Sequence, residues 1–156
     1  MNPPNVEIDR QPDPPCPQRE LSLDMAIAAE TPLPVLISAP SERALPIAIA
    51  IAASAGAHTP DDILVVESAT VRTQISSLLK AREAGRGHRV VLLRNIEAFD
   101  RVQQSMVVEL LDHAFRPDAA RCRVIATTSV WLLNQVAEGS FDSDLFYKLN
   151  AIHIRP

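Results

Sequence analysis

The sequence predicts an α/β fold, a three-layer αβα sandwich around a five-stranded parallel sheet, and three observations predict it. Five short apolar runs recur along the chain, at residues 34–38 (PVLIS), 63–67 (ILVVE), 89–93 (RVVLL), 122–128 (CRVIATT) and 151–154 (AIHI). Most of them are continuous rather than alternating, which is the pattern of strands covered by helices on both faces. The intervals between them carry helical periodicity and are long enough for the crossovers that parallel strands require.

Each element follows in order. Six of the thirteen prolines fall in the first 18 residues. Each proline fixes φ and removes a backbone donor, so residues 1–19 read as a disordered proline-rich tail. A helix is expected near 21–30, then the strand at 34–38, a helix near 43–56 and the strand at 63–67. The next helix, near 70–84, carries Leu78 and Leu79 at the spacing of a sheet-facing stripe. After the strand at 89–93, a helix near 100–114 presents Val107, Val108, Leu110 and Leu111 in the same way. The strand at 122–128, helices near 131–137 and 142–149, and the strand at 151–154 complete one domain over residues 20–156. No tandem repeat of fixed period appears.

Composition bounds the function classes. Of 156 residues, 47% are apolar and 22% charged, enough to bury a core, and the net charge of −4 argues against a generally basic nucleic-acid binder. Lys80, Arg82, Arg86 and Arg89, opposed only by Glu83, form a local basic stretch, read as a solvated helix end or as a contact for phosphates or an acidic partner. Cys16 and Cys122 match no disulfide or zinc-ligand spacing. His58, His88, His113 and His153 are scattered, so no metal site is expected. Cys122, at a strand start, reads as a buried small hydrophobe. No apolar run approaches the roughly 18 residues of a membrane span, and a cytoplasmic protein is expected.

In a parallel sheet, ligands collect outside the carboxyl ends of the strands, here around Ala39, Ser68, Arg94 and Ser129. The turn after a first strand is the usual place for a phosphate loop, G-x-x-x-x-G-K-[ST], whose glycines let backbone amides reach phosphate oxygens. The chain keeps the spacing, but Ala39 and Ala44 replace the glycines, Leu45 the lysine and Pro46 the magnesium-binding hydroxyl residue. A nucleoside-triphosphatase would end its third strand in acids, one holding magnesium and the next polarising the attacking water. Here Arg94 and Asn95 stand there: a cation repels the metal, and a neutral amide is no general base.

These residues lie within a longer pattern. Residues 123–156, RVIATTSVWLLNQVAEGSFDSDLFYKLNAIHIRP, resemble the sigma-54 interaction domain, the AAA+ ATPase module of bacterial transcription activators, with its R-I-I-A-A-T-N strand, its L-x-x-x-V-x-x-G-x-F-R-x-D-L-Y-Y-R-L-N-V stretch and its closing strand. PVLIS resembles the strand before that family's phosphate loop, and VVLLRNIEAFDRVQQSMVVELLDH its L-F-L-D-E-I segment and following helix. The resemblance covers residues 20–156 and implies a P-loop NTPase-like core with strand order 5-1-4-3-2. Asp144, Leu145, Tyr147 and Leu149 match the motif. The sensor asparagine falls on Ser129 and the two arginine fingers on Asp142 and Lys148, the latter keeping charge without the planar fork that matches phosphate. The polymerase-contacting loop G-A-F-T-G-A has no counterpart between Glu67 and Arg89, and the helical lid is missing after Pro156. Trp131 stands where the family carries a polar residue and reads as core or edge packing, or as an exposed contact.

The resemblance thus implies a retained scaffold with every catalytic element replaced, a pseudoenzyme rather than an enzyme, with no cofactor. The expected role is protein–protein interaction in transcription regulation, with an intact AAA+ activator or sigma-54 RNA polymerase as partner and no direct DNA binding. The alternatives are a sensor that holds ATP or ADP without hydrolysis and an inactive subunit of another AAA+ assembly.

Overall fold

The computed structural model describes residues 17–85, 87–116 and 122–156. The expected tail over residues 1–16, with Cys16, and Arg86 of the basic stretch lie outside the described residues.

The first helix, α1 (Pro17–Glu30), opens inside the stretch read as tail. Proline is tolerated in a helix's first turn, where its missing N–H would have had no partner. The chain continues through β1 (Val35–Ser38), α2 (Ser41–Ser54), β2 (Ile63–Val66), α3 (Val71–Glu83) and β3 (Val90–Leu93). It ends with α4 (Arg101–Ala114), β4 (Arg123–Thr128), α5 (Leu132–Ala137), α6 (Ser143–Leu149) and β5 (Ile152–Ile154). Every strand pair is parallel and the order is β2-β3-β4-β1-β5, the order the resemblance implies.

Alternation along each strand splits the core into two layers. Leu36, Val91, Leu93, Val124 and Ala126 face α3, α4 and α6, where Ile75, Leu78, Leu110, Leu111, Leu145 and Leu149 are buried. Val35, Ile37, Leu92 and Ile125 face the other way, against Ala28 of α1 and Ala44, Ala48 and Ile51 of α2. Small alanines on α2 let that helix lie close to the sheet. β4, between β1 and β3, is buried along its whole length.

The crossover from β3 to β4 is fixed at its helix start by a cap. Asp100 starts α4: its carboxylate accepts from the Gln103 N–H at 2.8 Å, and the Gln103 side chain accepts from the Asp100 N–H at 2.9 Å. The Gln103 amide, and secondarily Arg72, hold the Asp100 carboxyl below its ordinary range. Because the folded-state pKa is depressed, this contribution to stability is present above the unfolded carboxyl's pKa and is lost as pH falls through the folded one. Asp100→Asn is therefore expected to flatten the acid limb of the stability profile. Thermal unfolding followed from neutral pH into acid checks this; an unchanged acid limb would show that Asp100 does not carry it.

Candidate functional site

The cleft at the carboxyl ends of β1, β3 and β4 is built by three junctions. At the first, the Ala39 N–H donates to Thr128 O at 2.9 Å, and Pro40 (φ −52°, ψ 147°) caps α2, which begins at Ser41. The amides of Arg43 and Ala44 both donate to Pro40 O at 2.9 Å. The helix expected from about residue 43 thus starts already at Ser41, and only Ala39 and Pro40 separate strand from helix. The physical reason is local: no glycine is present to adopt the loop's unusual angles, and Pro40 followed by Ser41 and Glu42 favours immediate helix initiation. Ala44 is buried in the core, and Pro46 lies inside the helix. Leu45 lines an apolar groove of about 190 Å³ with Ile49, Val65 and Leu92.

At the second junction the chain leaves β3. Parallel register pairs Val66 with Leu93, which sets Glu67 beside Arg94, and the Arg94 guanidinium meets the Glu67 carboxylate at 2.7 Å. Asn95 has φ 52° and ψ 56°, the left-handed region that asparagine tolerates better than most residues. In that conformation its Oδ1 accepts from the Ser41 hydroxyl at 3.2 Å, and its N–H donates to Thr127 Oγ1 at 3.3 Å. Asn95 therefore ties the end of β3 to the first residue of α2 and to β4. At the third junction the Ser129 N–H and hydroxyl donate to one oxygen of Glu97, at 3.1 and 2.7 Å, and the other Glu97 oxygen is buried without a partner among the described residues.

Ser41, Glu67, Glu97 and Thr127 are the members that sequence reasoning missed. Glu67 and Thr127 come into reach only through strand register. Glu97 lies two residues past the position where an acid was sought.

The two positions onto which the resemblance maps the arginine fingers lie at the start of α6 and within it, and both side chains are used within the chain. Asp142 caps that helix: its carboxylate accepts from the Leu145 N–H at 2.9 Å, its own N–H donates to Gln104 at 2.8 Å, and Arg101 lies 3.6 Å away. Lys148 meets Asp112 at 2.7 Å and Asp144 at 3.9 Å, and the bond to Asp112, with the charge of both acids, holds its ammonium above the ordinary lysine range. Leu145 and Leu149 are buried, Tyr147 is 70% exposed. Asp142→Ala removes the cap and is expected to cost about 1 kcal/mol in a urea unfolding titration. A midpoint within error of the parent's would mean that Gln104 alone holds the start of α6.

Elsewhere, Arg89 pairs with Asp62 at 3.8 Å. Cys122 is buried, and burial pushes its thiol's pKa up. Among the described residues no three His, Cys, Asp or Glu side chains converge as a metal-binding group, and none of their helices is long and apolar enough to cross a membrane.

Three comparisons place this geometry among known proteins. The family model described as "Sigma-54 interaction domain" matches residues 19–155. No curated protein matches the sequence. Among solved structures, NtrX from Brucella abortus in complex with ATP superposes with a TM-score of 0.66 at 18% identity, over 94% of this chain and 38% of that one. The P-loop NTPase domain of the sigma-54 transport activator from E. coli gives 0.63 at 18% identity, over 88% and 94%. Thermotoga maritima RuvB gives 0.58 at 17% identity, over 89% and 43%. At these identities the structural likenesses speak to the fold, and the chain spans little more than a third of NtrX.

Proposed function

The chain belongs to the sigma-54 interaction domain family, and from that premise we propose that it is a non-catalytic member that acts by protein–protein interaction in bacterial transcription regulation. Its partners would be an intact AAA+ activator or sigma-54 RNA polymerase, met in the cytoplasm.

The observation that carries the reading is the start of α2 at Ser41. A triphosphate cradle needs several free amides converging on one point. Here Pro40 has none, and the amides of Arg43 and Ala44 are spent inside the helix. The neighbouring residues support the same reading. Arg94 brings a cation where a magnesium ion would need a carboxylate, and that cation is neutralised by Glu67. Asn95 supplies no base and serves as a brace between β3 and α2. Ser41 to Asn95 and Ser129 to Glu97 are bonds that hold strand ends together without a ligand.

Calorimetric titration of the full chain with magnesium ATP and magnesium ADP tests this, beside a variant carrying Ala39→Gly, Ala44→Gly and Leu45→Lys. Neither protein is expected to bind, because restoring three letters leaves Pro40 and the helix start in place. Micromolar binding by the natural chain would overturn the reading in favour of a nucleotide sensor.

A further inference from the structure

A second concave site lies at the carboxyl ends of β1 and β5, under α5 and α6. It encloses about 130 Å³ and is lined by Leu36, Leu132, Leu133 and Phe146, with Trp131, His153, Asn150 and Arg155 at its polar side. Trp131, the chain's single tryptophan, is 41% exposed and is flanked by Val130 and Leu133, exposed to similar degrees. The His153 ring stacks on it with centroids 6.0 Å apart, and the Arg155 guanidinium lies 4.7 Å from its ring centre. Ser38 Oγ and His153 Nε2 are 2.7 Å apart, which fixes the imidazole.

Two features of this site are unsatisfied. Asn150 Oδ1 is buried with no hydrogen-bond partner among the described residues, and a buried orphan acceptor costs free energy until a donor reaches it. Arg155 is the one lining residue with a full charge, and it has no carboxylate partner among the described residues. An occupant of matching chemistry is one aromatic ring with a donor at its tip and a carboxylate nearby. An enclosed cavity of about 150 Å³ takes a benzene ring; this site, at about 130 Å³ and open to solvent, has room for one ring and no more, with the polar tip of a phenol left at its rim.

The chain carries that occupant on its own surface. Tyr147, its single tyrosine, is 70% exposed. On α6 it is the i,i+3 neighbour of Asn150, which lines the pocket, and of Asp144, whose side chain is 66% exposed. A knob beside a hole on one surface is what a two-fold interface needs, since each copy offers the other the same pair. We propose that the chain forms an isologous dimer in which Tyr147 of each copy fills the Trp131 pocket of the other. The phenol O–H donates to Asn150 Oδ1 across the interface, and Asp144 of one copy faces Arg155 of the other. This association uses the same helix, α6, that would meet a neighbour in an activator ring, so it competes with ring entry, and it needs no third protein.

Sedimentation of the full chain over a dilution series, with Trp131 emission read on the same samples, tests the dimer. Dimers dissociating at micromolar concentration are expected, with emission shifting to the red as water reaches the vacated pocket. Tyr147→Ala should be monomeric throughout with red-shifted emission. Tyr147→Phe, which keeps the ring and loses the donor, should dimerise about tenfold more weakly. Arg155→Glu should weaken the dimer, and adding Asp144→Lys should restore it. A chain that stays monomeric at every concentration, a dimer that survives Tyr147→Ala, or dimerisation without change in Trp131 emission would each overturn the proposal.

Discussion

Excess chain added to a working sigma-54 activator is expected to depress that activator's ATPase by roughly tenfold or more, because an arginine finger supplied by a neighbour is worth 10³–10⁵ in rate. The effect follows from α6. A subunit of this chain placed in a ring would present Asp142 where the next subunit's nucleotide needs a guanidinium. Asp142 is an anion, and it is already committed to the Leu145 amide. Lys148 keeps a positive charge, but that charge is held by Asp112 at 2.7 Å and turned inward along the chain's own surface. Every ring that took up one copy would therefore contain one interface without transition-state stabilisation. A coupled ATPase assay at fixed activator and rising chain, with an equal mass of unrelated protein as control, measures it. Activity that stays level at large excess would mean that the chain does not enter rings, and the partner would have to be sought on the polymerase instead.

The framework was legible because burial on both faces of a parallel sheet demands continuous apolar runs, and each of the five runs became a strand one residue shorter than expected. The strand order came from the resemblance, since apolar runs alone do not say which strands are neighbours. The helix expected from about residue 43 starts at Ser41 for a specific reason. The spacing from Ala39 to Pro46 is that of a phosphate loop, yet spacing survives when the backbone angles that made the loop have gone with its glycines. The cue that was present is Pro40 followed by Ser41 and Glu42, a sequence that starts a helix. Arg94 was visible as a charge in the wrong place, but its partner Glu67 depends on the Val66 to Leu93 pairing, which is a register fact. Asn95 was read for the base it is not, and its left-handed conformation and bond to Ser41 belong to the folded chain. Trp131 was left between packing and exposure, and it does both, with its ring in contact with His153 and Arg155 and 41% of the residue exposed.

Leu145→Ala is expected to destabilise the domain by about 2–5 kcal/mol, a large part of the 5–15 kcal/mol that holds a typical domain together. Leu145 is fully buried in the layer between α6, α4 and the sheet, so truncation leaves a cavity that the packed neighbours fill only in part. Tyr147→Ala, two residues along the same D-L-F-Y-K-L-N stretch, should cost clearly less, about 0.5–1 kcal/mol, because most of its side chain stands in solvent and what it loses is the edge-on contact of its ring with Phe146. Urea unfolding of the two variants beside the parent measures the difference. Helical geometry thus divides one sequence motif in two: Leu145, Phe146 and Leu149 point inward and make the fold, while Asp144 and Tyr147 point outward. Equal losses in the two variants would mean that Tyr147 is a packing residue of the monomer. A stable Tyr147→Ala protein that no longer self-associates would instead show that the motif keeps its inner half for folding and its outer half for contact with another chain.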